Sequence, residues 1–220
     1  MARLARFVQP GVPHHITQRG NRRQATFFSD HDYALYHDLV AEGCRSAGVA
    51  CWAYCLMPNH VHLILVPEDE GGLRRALGEA HRRYTRAVNF REGWRGYLWQ
   101  GRFASFPMDE AHLLACVRYV ELNPVRARLV ERPEDWRWSS AAAHLAGHGD
   151  GLFDAAPMLD RVTDWRALLD SGLDEAEHRA IQAHERIGRP LGASAWIERL
   201  ERLSGRRLAR RPAGRPRAEK

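Results

Sequence analysis

Two strongly apolar runs, Val49 to Leu56 and Val61 to Val66, stand either side of Met57-Pro58-Asn59-His60, and no other stretch of the chain constrains its fold as much. Short runs rich in branched and aromatic residues read as strands, and the Pro-Asn turn between them makes the pair antiparallel. Val12 to Gln18 reads as an earlier strand, followed by the polar, basic loop Arg19-Gly20-Asn21-Arg22-Arg23. Asp30 is placed to cap a helix running to about Ala47, whose apolar positions are Tyr33, Leu35, Tyr36, Leu39 and Val40. A second helix covers Gly72 to Phe90, with Leu73, Leu77, Ala80, Tyr84 and Val88 inward and Arg74, Arg75, Arg82, Arg83 and Arg86 outward. Gly101 to Pro107 reads as a fourth strand, and Asp109 caps a helix carrying Leu113, Leu114, Val117, Tyr119 and Val120. The order strand, helix, strand, strand, helix, strand is the split βαβ pattern: an α+β class, with a ferredoxin-like antiparallel sheet and helices on one face.

Side chains alternate along a strand, so His60 and His62 share one face of the second hairpin strand, close enough for both imidazoles to reach one divalent ion. Alone this motif says little, because a chain of this length with 12 histidines contains about 0.6 such triplets by chance. Its place at the head of an apolar strand says more, since two buried imidazoles need partners there. Tyr119 and Asn123 are four residues apart and meet on one helical face. A protonated phenol attacks phosphorus poorly, and a cation that neutralises the phosphate oxygens makes the attack feasible. Asn123 offers a neutral amide oxygen as a further ligand, although Pro124 disfavours helical geometry there. Periodicity alone favours the plainer reading of Tyr119 as a core aromatic.

Lys and Arg number 33 against 27 Asp and Glu, giving +6 and a pI near 9.5. All but one of the basic residues are Arg, whose planar fork matches phosphate oxygens and stacks on bases. A nucleic-acid partner follows from that balance, as does the alternative of a genome that merely favours Arg codons. No apolar run approaches the roughly 18 residues of a membrane span, and Met1 to Gln18 lacks the core of a signal peptide, so the expected location is cytoplasmic. Cys44, Cys51, Cys55 and Cys116 form no C-x-x-C pair and read as reduced, buried residues.

The segments Met57-Pro58-Asn59-His60-Val61-His62, Leu98-Trp99-Gln100-Gly101-Arg102-Phe103 and Tyr119-Val120-Glu121-Leu122-Asn123-Pro124-Val125-Arg126-Ala127 resemble the HUH single-tyrosine transposases, in family order. Within that group they are similar to the REP-associated tyrosine transposases. Pro13-His14-His15-Ile16-Thr17-Gln18-Arg19-Gly20-Asn21 is similar too, so the resemblance spans about Met1 to Gly147. It implies that His60, His62 and Asn123 hold Mg²⁺ or Mn²⁺ and that Tyr119 forms a covalent 5′-phosphotyrosine with single-stranded DNA. It further implies that the released 3′-hydroxyl rejoins strands, that the substrate is a REP-like hairpin, and that the protein works as a monomer or homodimer. No Walker-type glycine loop is present, in keeping with a reaction that needs no nucleotide cofactor. Arg22, Arg23, Arg82, Arg83 and Arg102 are candidates for phosphate contact, and Trp99 for stacking on a base or packing beneath its loop.

The expected organisation is a catalytic domain over residues 1–151, a helical appendage over 152–205 and a basic tail over 206–220. The appendage should hold helices at about Met158 to Leu169, Asp174 to Ile187 and Ala193 to Ser204, and the tail's Gly214-Arg215-Pro216-Arg217 is similar to the core of an AT-hook. Two other functions fit parts of the pattern. One is a metal-dependent phosphodiesterase in which the histidines activate water and Tyr119 is structural. The other is a non-cleaving protein that binds hairpin DNA or RNA; against an RRM-like version stands the absence of aromatics from Val61 to Val66.

Overall fold

A computed structural model describes residues 6–209 of the chain. The tail motif at residues 214–217 lies outside the described residues. Four strands, β1 (His14–Arg19), β2 (Val49–Met57), β3 (His60–Pro67) and β4 (Ala104–Pro107), form one antiparallel sheet in the order β2-β3-β1-β4. With α1 (Asp30–Ala47) between β1 and β2, and α2 (Gly72–Glu92) between β3 and β4, this is the ferredoxin-like arrangement expected from the element order.

α1 begins after Ser29, whose extended backbone makes it the residue outside the first turn, so Asp30 lies one position further in than a cap. Asp32 instead accepts from the Phe28 N–H and pairs with Arg91 at the far end of α2. The two helices approach so closely that a Cβ on Gly43 would sit 2.5 Å from the Ala76 carbonyl oxygen. Their apolar faces pack on Ile16, Val61, Leu63 and Leu65 of the sheet.

The opposite side of the sheet is not open. Ala53, Cys55, Met57, Ile64 and Phe106 project from it and are buried under α3 (Glu110–Glu121) and under helices of the C-terminal segment. The one-face layering expected from sequence therefore describes α1 and α2 alone. The central strands are apolar on both sides, and each side needs a cover. A bulge between Cys51 and Ala53 shifts the register of β2, which puts Cys51 and Tyr54 on the α1/α2 side while Ala53 and Cys55 face α3.

Asp109 caps α3 as expected, its carboxylate accepting from the His112 N–H at 3.1 Å. The helix stops at Leu122 and restarts at Pro124's turn as α4 (Asn123–Arg126). Beyond it come α5 (Ala141–Ala146), α6 (Ala156–Leu159), α7 (Trp165–Asp170), α8 (Glu175–Ile187) and α9 (Ser194–Ser204). The single helix expected from Met158 to Leu169 is thus two, because the Asp164 carboxylate accepts from the Ala167 N–H and starts a new one. Asp174 and Glu177 form a reciprocal capping box on α8.

Backbone bonds also run along both outer edges of the sheet. Leu191 bridges in parallel to Met108, its N–H donating to Pro107 and its carbonyl accepting from Asp109. On the other side, the Leu56 N–H donates to Trp138 and the Ser140 N–H to Tyr54, at 2.8 and 3.0 Å.

Candidate functional site

The turn after β2 delivers His60 and His62 onto the α3 side of the sheet. His60 Nδ1 meets Asn59 Oδ1 at 2.6 Å, and the two histidine rings lie edge to face with centroids 4.9 Å apart. Burial, helped by the positive charge of Arg19, pushes the His60 imidazole down to about 3. Burial followed by the neighbouring His60, His15 and Arg19 holds His62 well below its usual value. Both rings are consequently neutral near pH 7, the form in which an imidazole lone pair can bind a cation.

Helix α3 brings Tyr119 over this pair, its ring centroid 5.5 Å from that of His62. Asn123, at the start of α4, places its amide 3.2 Å from His62 Nε2. The break at Leu122 does not separate the two residues, since Leu122 keeps right-handed helical angles. The four residues singled out by sequence are therefore gathered in one place.

Several neighbours carried no such signal. His15 on β1 faces the same way, stacks on His62 and meets His62 Nδ1 through its own Nε2 at 3.0 Å. His14, one residue earlier, turns to the other side and serves structure: its Nδ1 meets the Val12 carbonyl and its Nε2 accepts from Gln9. From α8, Glu185 reaches into the site, with Oε1 3.7 Å from His62 Nδ1 and 3.9 Å from His15 Nδ1. Burial pushes the Glu185 carboxyl up to about 7, offset in part by a hydrogen bond from Tyr119. His15, His62 and Glu185 offer ligand atoms that all lie within 4.8 Å of one another. Glu185 Oε1 and His15 Nδ1 are buried without a hydrogen-bond partner. His178 of α8 packs its ring on Tyr119 and binds Arg126 at 2.6 Å. Beneath these contacts Tyr119 is only 5% exposed, and burial, then the charge of Glu185, raises its phenol well above the usual value.

The residues expected to touch DNA fall in three places. Arg22 and Arg23 are exposed beside the site, in a loop whose left-handed backbone (φ 53° and 62°) is tied to the β2–β3 turn. Gly20 donates to Asn59 O, Thr26 donates to Pro58 O, and the Asn59 amide donates to Arg23 O. Gly20 is required there, because a Cβ would stand 2.3 Å from Gln24 O. Arg83 is paired with Glu42 of α1, and Arg82 with Glu79 one turn away. Arg82 and Arg102 line a cavity on the α2 side of the sheet, and Trp99 forms part of its wall. At 6% exposure among Phe27, Tyr36, Tyr84 and His81, Trp99 packs beneath its loop and presents no open stacking platform.

Comparison with known proteins adds to this geometry. Residues 10–123 match the sequence model of a family described as transposase, IS200-like. A curated protein of Haemophilus influenzae described as "Putative REP-associated tyrosine transposase" is 28% identical over an alignment of 116 residues that covers 48% of this chain. The chain spans 66% of that relative's length, just under two thirds. Among solved structures, one described as a REP-associated tyrosine transposase bound to a REP hairpin superposes with a TM-score of 0.58. The two share 21% identity, over 70% of this chain and 90% of the other, so the likeness is one of fold. No helix among the described residues is long and apolar enough to cross a membrane.

Proposed function

Since this chain belongs to the IS200-like transposase family, we propose that it binds single-stranded DNA hairpins of REP type and cuts and rejoins them through Tyr119. The observation that carries this reading is the convergence of the Tyr119 ring, the His62 imidazole and the Asn123 amide at one buried spot beside an exposed arginine loop.

The residues fit a divalent cation. His60 and His62 are neutral donors, Asn123 would add its amide oxygen by turning over the amide whose Nδ2 now faces His62 Nε2, and His15 holds the second nitrogen of His62, as partners of metal-bound imidazoles do. When bound, Mg²⁺ or Mn²⁺ would neutralise charge on the phosphate oxygens. Tyr119 Oη attacks phosphorus and loses its proton as the bond from phosphorus to the 3′-oxygen breaks. That oxygen takes up a proton and leaves as a 3′-hydroxyl, while the downstream fragment stays on the tyrosine through its 5′-phosphate. Attack by a 3′-hydroxyl on the phosphotyrosine reverses these steps and joins strands without a nucleotide cofactor. Because α8 covers the phenol, a phosphodiester reaches Tyr119 only when α8 shifts.

Incubating the protein with hairpin DNA labelled at its 3′ end and Mn²⁺, then denaturing it, tests the proposal. Wild type should retain label covalently, and Tyr119→Phe should bind the DNA yet retain none. A second reading, a metal-dependent phosphodiesterase using water, draws on the His15, His62 and Glu185 cluster and on the burial of Tyr119. It would be favoured if Tyr119→Phe cut as fast as wild type.

A further inference from the structure

Tyr119, Asn123 and Arg126 follow one another at intervals of four and three residues, the spacing that lines side chains up along one face of a helix. Pro124 does not interrupt the line. Leu122 keeps right-handed helical angles, and the Arg126 and Ala127 N–H groups donate to the carbonyls of Leu122 and Asn123, four residues back in each case. The stripe that carries the nucleophile and the amide therefore continues by one turn, to a guanidinium whose carbon stands 5.8 Å from the centre of the Tyr119 ring.

Arg126 is exposed and meets no carboxylate among the described residues. Its Nη2 donates to Nε2 of His178 on α8 at 2.6 Å. That acceptor is uncharged near pH 7, because burial and then the charge of Arg126 itself hold the imidazole below its ordinary value. Arg118, two turns earlier, is bound quite differently: it pairs with Glu177 of α8 at 2.7 Å and donates to Ser171 Oγ at 2.8 Å, the contacts of a residue that fastens the helix down. One bond to a neutral ring is weaker than the forked, charge-assisted pair that a guanidinium makes with phosphate oxygens. His178 is thus a partner that an arriving phosphodiester can displace.

We infer that Arg126 is a further catalytic residue: on giving up His178, its guanidinium takes the non-bridging oxygens of the scissile phosphodiester at Tyr119 and holds them as charge develops there during attack. The phosphotyrosine keeps those oxygens, so the same contact serves cutting and rejoining, and the bonds made and broken are those given above. Because the phosphodiester and His178 compete for one guanidinium, the exchange also removes one of the holds that α8 has on the tyrosine. The inference rests on the reading of Tyr119 as nucleophile.

The covalent-labelling assay tests it, run on the full chain with Mn²⁺ and saturating hairpin DNA labelled at its 3′ end, so that rate and not affinity is read. Arg126→Ala should slow labelling by about 10²–10³-fold, the loss that follows removal of one donor to a developing anion. Arg126→Lys keeps the charge without the fork, and its rate should fall between the two. Added guanidinium ion should restore part of the Arg126→Ala rate, and sodium ion at the same concentration should not. His178→Ala breaks the same bond from the other side and should label at least as fast as wild type, since it frees the guanidinium. An arginine that only fastens α8 would behave otherwise: Arg126→Ala and His178→Ala would both speed labelling, and that outcome overturns the inference. An equal rate in Arg126→Ala and wild type, or a loss confined to hairpin affinity, overturns it too while leaving Tyr119 as the nucleophile. Absence of covalent label with wild type overturns both readings.

Discussion

Replacing Glu121 measures how firmly the C-terminal segment is fastened to the sheet domain. Its carboxylate is fully buried and accepts from Ser140 Oγ at 2.5 Å, His144 Nδ1 at 2.6 Å and Trp165 Nε1 at 2.9 Å, joining α3 to α5 and α7. In Glu121→Ala the Ser140 hydroxyl can turn to the Tyr54 carbonyl, which it already faces at 3.3 Å. The Trp165 and His144 N–H groups have no such alternative: Trp165 is 4% exposed and His144 1%. Moving the His144 proton to Nε2 gains nothing, because that nitrogen is itself buried without a partner. Two stranded donors at about 1–3 kcal/mol each, together with the space left by the side chain, give an expected loss of about 3–5 kcal/mol. Glu121→Gln keeps the volume and one acceptor oxygen, so its loss should be about half as large. Urea denaturation with an unchanged slope is the assay. A loss below about 1 kcal/mol in Glu121→Ala would refute the reasoning, since it would mean that water or a rearranged core satisfies both donors.

Stability should also respond to acid. Burial pushes His14 down to about 4 and His81 down to about 3, so below about pH 6.5 the unfolded chain binds protons that the folded one refuses. The contribution is fully present above pH 6.5 and is lost as pH falls toward those values, by about 1.4 kcal/mol per pH unit for each histidine. Thermal melts across that range should show the fall, and His81→Gln, which keeps a partner for the Tyr36 hydroxyl, should make it shallower. Gly43→Ala should cost about 1–3 kcal/mol by forcing α1 from α2, measured by the same denaturation. His15→Ala should weaken Mn²⁺ binding by about 10–100-fold in calorimetry while hairpin affinity stays unchanged. Glu185→Ala removes a hydrogen bond that keeps α8 over Tyr119, and the covalent label should accumulate faster than in wild type.

The sheet and its first two helices were legible because strands and helices there follow their own hydrophobic periods and end at Pro, Asn or Gly. The pairing of His60 with His62 followed from strand alternation, and that of Tyr119 with Asn123 from helical spacing. What sequence left open is what lies far apart in the chain. Glu185 is one acid among several on an amphipathic helix, and nothing local distinguishes it from Glu175 or Glu177, which cap the same helix or meet solvent. His15 was visible as one of two adjacent histidines, but only the register of β1 against β3 decides which of them meets His62. The apolar second side of the sheet could have been read from Ile64, Phe106 and Met108, since residues alternating with an already buried set need a cover of their own.

The bonds along the two outer strands bear on how copies of this protein can associate. A sheet normally grows or fuses where a border strand leaves its amides and carbonyls free, and that is the usual route to swapped or fibrous assemblies. Here Trp138 to Ser140 occupies one border and Leu191 part of the other. Along those stretches a second molecule could add its own strand only after the protein's own chain had been pried off, so this part of each border is closed to growth of the sheet.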